Sequence, residues 1–294
     1  MISFNGVQDA IESIESFESQ NHLIEKFILL DNGSNKENKT LLKSYHHSKT
    51  EIIDHPNNLG FAAGFNLLFE HGLKNLDSDY FLILNNDTIA TPTLIESLLS
   101  IAEPNKIISP MILWNTDKET VIQSAGEFDF SMMKMKNKYE GLNHKDVPSG
   151  PHEIGQTDGC CFLIHRSWLE KGHKFKEDFF MYYEDVEFFL NLRNKGVSFI
   201  YQADAILYHK EYGSSGDRHT PSPLRNYYFF RNRFMMTQQF HSFFKRWRVY
   251  WTIFNLAREA HQLQIKSSPE AAKAIYTAII HFFIGIKNKG PYPK

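Results

Sequence analysis

In the first third of the chain, apolar residues follow two rhythms in turn, one helical and one extended. Over residues 8–17 they recur at helical spacing, and residues 26–30 form a short apolar run that ends on Asp31. A helix over residues 39–48 and a brief strand at Ile52-Ile53 follow, and then the stretch "NNLGFAAGFN" opens a helix reaching about Leu73. The run "YFLIL", from Tyr80 to Leu84, is continuous enough to fill an interior strand; next comes a helix over residues 92–101 with Thr91 as its N-cap. Strands alternating with helices predict an α/β fold whose mainly parallel, Rossmann-like sheet is sandwiched by helices.

The second half keeps the alternation less regularly. "TDGCCFLIHRSWLEKG" reads as a strand and a short helix, and "FFMYYEDVEFFLNLRNKG" leads into a helix over residues 184–194 that Gly196 can end. "FIYQADAILYHKEYGSSG" predicts a strand pair ending at His209, followed by a Gly/Ser-rich loop. Residues 134–155 carry little periodicity and are expected to form a mobile loop or an acceptor-side insertion. From Leu224 onward the pattern is helical, aromatic and basic, which predicts a C-terminal helical appendage. Only Met1 and Ile2 precede the likewise strand-like "SFNG". If that strand is central it lacks ladder residues, so either the start lies upstream or the fold tolerates a stub; restored upstream residues are then expected to raise the melting temperature.

Composition narrows the function. The 294 residues are 42% hydrophobic and 22% charged with a formal net charge of -2, a balance that argues against nucleic-acid binding and against disorder. Cys160 and Cys161 are adjacent in an apolar run, which excludes a disulfide framework and suits inert core thiols in a reducing compartment. No stretch approaches the roughly 18 to 20 apolar residues that span a bilayer, and no signal-peptide pattern stands at the start, so a cytoplasmic protein is expected.

Polar residues gather where the strands end. Asp31 follows "FILL", Asn57 and Asn58 follow the Ile52 strand, and Asn85, Asn86 and Asp87 follow "FLIL". Ligands of open α/β sheets bind outside the carboxyl ends of strands, so these residues suit a nucleotide; the same residue types also favour plain turns. A carboxylate at Asp31 can accept from a base or ribose, and one at Asp87 can hold a divalent cation through oxygen. Glu184 and Asp185 fall in a first helical turn, where a carboxylate is either a dipole-stabilised cap or a rigidly aimed base. His209, ahead of the glycine loop, is either structural or a metal ligand under a closing lid.

The ordered series "SFNG", "LLDNGS", "NNLGFAAGFN", "LNNDT", "TDGCCFLI", "FFMYYEDVEFFLNLRNKG" and "LYHKEYGSSG" resembles the family 2 glycosyltransferases, in particular their bacterial rhamnosyltransferase-like branch with a GT-A fold. The resemblance runs from residue 3 to about residue 235. It implies a nucleotide-sugar half over about residues 1–125 and an acceptor half over about 126–235, with residues 236–294 as the helical appendage. It assigns Asp185 as the general base of an inverting transfer, and Asp87 and His209 as contacts of a Mg2+ or Mn2+ ion. Ser3, Asn5, Asp31, Asn58, Gly60, Asn86 and Arg231 become contacts of the donor nucleotide and diphosphate. The metal motif here reads "NND", leaving one carboxylate where the family pattern has two. The implied partners are a dTDP- or UDP-sugar donor, with dTDP-rhamnose favoured, and a glycan or lipid-linked acceptor in surface polysaccharide synthesis. A nucleotidyltransferase or a non-catalytic nucleotide-sugar binder are the rival classes, since a fold alone does not decide function.

The segment "FHSFFKRWRVYWTIFNLAREAHQL" mixes Lys245, Arg246, Arg248 and Arg258 with large aromatics. It suits a helix lying on the inner face of an anionic membrane and equally a core helix with solvated arginines.

Overall fold

The computed structural model describes residues 1–123, 126–210 and 221–292. Its strands are β1 (Ile2–Ser3), β2 (Phe27–Asn32), β3 (Thr50–His55), β4 (Tyr80–Leu84), β5 (Thr88–Ala90), β6 (Lys106–Trp114), β7 (Val121–Gln123), β8 (Gly126–Asp129), β9 (Lys134–Asn137), β10 (Pro151–Ile154), β11 (Cys161–His165) and β12 (Ser198–His209). The α-helices are α1 (Val7–Glu15), α2 (Lys36–Ser44), α3 (Gly60–Asn75), α4 (Leu94–Leu99), α5 (Arg166–Glu170), α6 (Glu184–Arg193), α7 (Pro223–Phe240), α8 (Phe243–Gln264) and α9 (Pro269–Phe283).

The early elements follow the apolar rhythm. In α1, Val7, Ala10, Ile11 and Ile14 are buried at the spacing of one helical face. Helix α2 starts earlier than its apolar residues indicate, because the Asn35 side chain accepts from the Asn38 amide and caps it. Helix α4 is likewise shorter than its pattern, and its N-cap is Thr93; the Thr91 hydroxyl donates instead to the Ile206 carbonyl at 2.7 Å.

Strands β1, β2 and β3 form a parallel three-stranded sheet. A second sheet runs in the order β10, β12, β6, β11, β4, with β5 on β12 and β7 on β6. In it β6 and β12 are parallel, while β4–β11, β11–β6, β10–β12 and β5–β12 are antiparallel. Pro110 lacks an N–H for the β12 ladder, and the register slips there, Gln202 facing Pro110 and Ile206 facing Met111. The expected strand pair is therefore one long strand, β12, bent at that bulge. Residues 134–155 are also more ordered than expected: β8 and β9 pair as a hairpin, β10 pairs with β12, and Tyr139 and Val147 bury against Met111 and Tyr201. Cys160 and Cys161 are buried free thiols, and burial pushes both thiols up. The Gly/Ser-rich stretch after His209 lies outside the described residues.

Strand β1 is a stub that pairs with β2, Ile2 facing Leu30 and Ser3 facing Asp31. The Met1 amine donates to the Ile28 carbonyl at 2.8 Å as a ladder amide would, and burial pulls it down to about 5. Beside Met1, between the first half of β2 and β4, lies an apolar cavity of about 430 Å³ whose walls include Phe27, Ile28, Phe69, Tyr80 and Leu82. A dry void of that size forfeits on the order of 10 kcal/mol at ~24 cal/mol per Å³, comparable with a domain's whole net stability.

Helices α7, α8 and α9 share one apolar core with the segment that leads into α6. Phe179, Phe180 and Tyr183 pack with Tyr228, Phe234, Tyr250, Ile253 and Ile275. Helix α7 runs through residue 235, where the sequence pattern set a domain boundary.

Appending a short alternating Val/Thr extension ahead of Met1 should fill the cavity and give β4 a second neighbour. The expected melting temperature rises by roughly 5 °C or more, while a Gly/Ser extension of equal length leaves it unchanged; differential scanning calorimetry reads the difference.

Candidate active site

Strand β2 ends by delivering two buried polar side chains, Asp31 and Asn32. Asp31 accepts the Ser34 amide at 3.0 Å on one oxygen, and its other oxygen lies 3.8 Å from the Lys39 ammonium, which also pairs with Asp54. Asn32 knits the neighbouring loop together: its oxygen accepts the Leu59 amide, and its nitrogen donates to Asn58 Oδ1 and to the Gly60 carbonyl. Asn58 in turn accepts the Gly60 amide at 2.8 Å. Gly33, at φ +82°, packs so tightly on residue 57 that a Cβ there would sit 2.6 Å from the Asn57 carbonyl carbon. From the β1 side, Asn5 stands at φ 58°, donates its amide to Ser34 Oγ and accepts the Asn35 amide at 2.8 Å. Ser3 is buried with no hydrogen-bond partner for its hydroxyl among the described residues. The structure thus gathers Ser3, Asn5, Asp31, Asn58 and Gly60 at the joined ends of β1, β2 and β3.

Asn86 ties that cluster to the exit of β4, donating to the Gly6 carbonyl at 3.0 Å. One residue on, Asp87 is nearly buried, and its Oδ1 lies 3.3 Å from His209 Nε2. Backbone pairing fixes the two side by side, because β5 aligns Thr88 opposite His209 and the Lys210 amide donates to the Asp87 carbonyl. The Lys210 ammonium reaches Asp9 at 3.0 Å and also pairs with Glu12, anchoring the end of β12 to α1.

Asp185 reaches the same rim through β11. Its Oδ2 accepts the Gly159 amide at 2.9 Å and its Oδ1 accepts the Val186 amide at 2.8 Å. The adjoining Cys160 carbonyl accepts the Asn85 amide at 2.9 Å, which joins the Asp185 support to the strand end that carries Asp87. Contact with Gly159 is close: a Cβ there would fall 2.9 Å from the Asp185 Cβ. Burial raises the Asp185 carboxyl above its ordinary range, opposed by the Val186 and Gly159 amides. Its neighbour Glu184 is more deeply buried, has an unpartnered oxygen among the described residues, and is pushed well above the ordinary range by burial and then by the Asp185 charge. Asp158, held by the Cys160 amide at 2.9 Å, is pushed up to about 7 by burial with the Asp185 charge adding to it.

Arg231 lies elsewhere than the sequence pattern implies. It is fully buried, stacked over Tyr227 and Tyr228, with its donors spent on the Phe179 and Asn288 carbonyls and on Asn232. A guanidinium enclosed in this way does not present its fork to a diphosphate. It works with Asn232, whose amide donates to the Phe179, Met181 and Tyr182 carbonyls at 3.0, 2.8 and 2.7 Å. That backbone needs holding, for Phe180, Tyr182 and Tyr183 all have positive φ, and Phe180 with the Met181-to-Phe179 bond makes a γ-turn of the strained hand. The Phe180 carbonyl then accepts the Phe61 amide at 2.7 Å and the Ala62 amide at 3.3 Å at the start of α3.

A family model described as Glycosyl transferase family 2 matches residues 1–172, more than half of the chain. The chain belongs to glycosyl transferase family 2. A curated relative, the low-salt glycan biosynthesis hexosyltransferase Agl10 of Haloferax volcanii, is 28% identical over 191 residues, covering 64% of this chain and 59% of the relative. The chain therefore spans less than two thirds of that relative's length. Among solved structures, GalNAc-T7 with UDP, GalNAc and Mn2+ superposes with a TM-score of 0.61 at 13% identity, over 98% of this chain and 54% of the other. The mannosyltransferase PcManGT from Pyrobaculum calidifontis, in complex with GDP-Man and Mn2+, gives 0.55 at 9% identity over 96% and 85% of the two chains. Residues 1–349 of S. aureus TarS give 0.52 at 11% identity over 97% and 79%. These likenesses establish the GT-A fold.

Several site residues of this family 2 glycosyltransferase escaped the sequence reading. Asn32, Asp158 and Asn232 are each one polar residue inside a quoted motif, and only burial reveals that they have work to do. The pattern "LLDNGS" did mark the place of Asn32, since two polar residues end that strand.

Asp158 generates a stability prediction. Its ordinary value is near 3.9 and its folded value about 7, so the folded state is favoured while the group is protonated and loses that advantage as pH rises through 7. Asp158→Asn should raise the melting temperature by several degrees at pH 8 and by little at pH 5, with thermal unfolding across that range as the measurement.

Proposed function

We propose that this chain is an inverting glycosyltransferase that moves a sugar from a nucleoside diphosphate to a hydroxyl of a glycan or lipid-linked acceptor. The observation that carries this reading is the convergence of the Asp87–His209 pair and the Asp185 carboxylate on one rim, joined through the hydrogen bond between Asn85 and Cys160. The polar cluster around Asp31 supplies the adjacent nucleotide end, with its carboxylate oriented by the Ser34 amide. Among donors, the motif series favours dTDP-rhamnose, with UDP-sugars and GDP-mannose as the other candidates.

The Asp87–His209 pair suits a Mg2+ or Mn2+ ion. Carboxylate oxygen and imidazole nitrogen face each other at 3.3 Å with both side chains partly open to the rim, and such hard ions keep positions for phosphate oxygens and water. Among the described residues no group of three or more His, Cys, Asp or Glu side chains could hold a metal, so the remaining ligands come from donor and solvent. When bound, the ion supplies neutralisation of the charge building on the departing diphosphate. Asp185 accepts the proton of the attacking hydroxyl, and two backbone amides fix its orientation. No covalent intermediate is needed. Because burial raises Asp185, kcat/KM should rise with pH as that carboxyl ionises and then level off.

Donor turnover, followed as nucleoside diphosphate release from each candidate sugar nucleotide, tests the reading. Asp185→Asn should keep the fold and bind donor within a few-fold while kcat falls by about 10² to 10⁴. Glu184→Gln serves as the control, because adjacent helical positions point about 100° apart. Equal small losses at both positions would favour a non-catalytic sugar-nucleotide binder.

Asp87→Ala should abolish turnover and also remove the donor-dependent Mn2+ binding read by electron paramagnetic resonance. Full turnover by a metal-stripped sample in EDTA would overturn the metal assignment.

A further inference from the structure

Large apolar side chains are exposed together at one end of the α8–α9 hairpin. Helix α8 carries Phe244, Trp247, Trp251 and Phe254 at the i, i+3, i+7, i+10 spacing of a single stripe, with Phe244 87% and Trp251 68% exposed. The opposite stripe, Val249, Tyr250, Ile253 and Ala257, is buried in the core. The end of α9 joins the exposed stripe: Phe283 lies 6.3 Å from the Tyr250 ring, which is 5.8 Å from Trp247, and Ile280, Phe283 and Ile284 are all more than half exposed. Core packing thus accounts for one face of α8 and leaves the aromatic face open.

The charge around this surface has one sign. Lys245, Arg248 and Arg258 are exposed on α8, Lys289 is exposed beyond α9, and no Asp or Glu occurs within residues 241–258 or 271–292. The whole chain nevertheless has a formal net charge of -2, so the excess is local. Among the described residues no helix is long and apolar enough to cross a membrane. An exposed aromatic stripe flanked by cations is the composition of a helix that lies in the headgroup layer, its rings entering the acyl boundary and its ammonium and guanidinium groups meeting anionic headgroups.

We infer that the aromatic end of the α8–α9 hairpin docks the protein on an anionic lipid surface. A second copy is the poorer occupant, since a symmetric pairing through this patch would set like charges against each other. The inference goes beyond the transfer reaction proposed above, and it supplies a reason for a lipid-linked acceptor to be met at the bilayer.

Vesicle co-sedimentation tests it without donor, metal or turnover, so its failure leaves the transferase reading intact. The full chain should bind vesicles of phosphatidylcholine with phosphatidylglycerol and bind phosphatidylcholine alone at least about tenfold more weakly. Tryptophan emission should shift to the blue on binding, because Trp247 and Trp251 are the exposed indoles. Trp247→Ser with Trp251→Ser should cut binding by about tenfold or more with the melting temperature retained, and Lys245→Gln with Arg248→Gln should remove the preference for phosphatidylglycerol. Absence of vesicle binding by the folded chain, equal binding by the tryptophan variant, or a stable dimer that buries the patch in light scattering would each overturn the proposal.

Discussion

The rim chemistry depends on a backbone held against its own preference. Between Phe179 and Tyr183 three non-glycine residues take positive φ, each at a cost of about 1–3 kcal/mol, and such a segment persists only where its surroundings over-determine it. Asn232 and Arg231 do so from α7 by satisfying the Phe179, Met181 and Tyr182 carbonyls. Two consequences follow at once. Tyr183 ends the strained run directly before Glu184 and Asp185, so the clamp sets where α6 begins and hence where the Asp185 carboxylate sits. The Phe180 carbonyl, turned by the same strain, receives the first amides of α3, which joins the nucleotide loops to the acceptor side.

This arrangement explains why the C-terminal helices are continuous with the catalytic sheet and are not an attached module. A buried guanidinium needs every donor satisfied, and Arg231 finds its partners on the 179 loop and on residue 288 beyond α9. Removing α9 would leave that charge uncompensated. The transferase half therefore draws part of its geometry from a region whose outer face is built for something else.

Much of the site was legible because strand ends advertise themselves: an apolar run that stops on Asp31 or Asp87 leaves few places for the carboxylate except the sheet's carboxyl edge. His209 was placed by the same logic, as the last residue of β12. The placement of Arg231 was not legible, since an arginine in an aromatic helix reads the same whether it faces solvent, ligand or core, and only long-range packing decides. Residues 134–155 misled for a related reason. Short edge strands with polar outward positions lack the apolar alternation that marks a strand, and their pairing with β12 is set over a long sequence separation. The antiparallel insertion of β11 between β4 and β6 also has no local signature, although it is what brings Gly159 to Asp185.

Gly159 carries an implication for how this site can vary. Where its hydrogen would become a methyl group, the nearest atom is the Asp185 Cβ, at 2.9 Å. Neither atom can yield cheaply: one is fixed by the start of β11, the other by the first turn of α6. A position with no functional group of its own is thereby bound to the carboxylate as tightly as any reacting atom, and drift at residue 159 is barred by shape alone. In the inheritance of this fold, the pair Gly159 and Asp185 behaves as a single unit, and a lineage that abandons the carboxylate is also the one freed to lose the glycine.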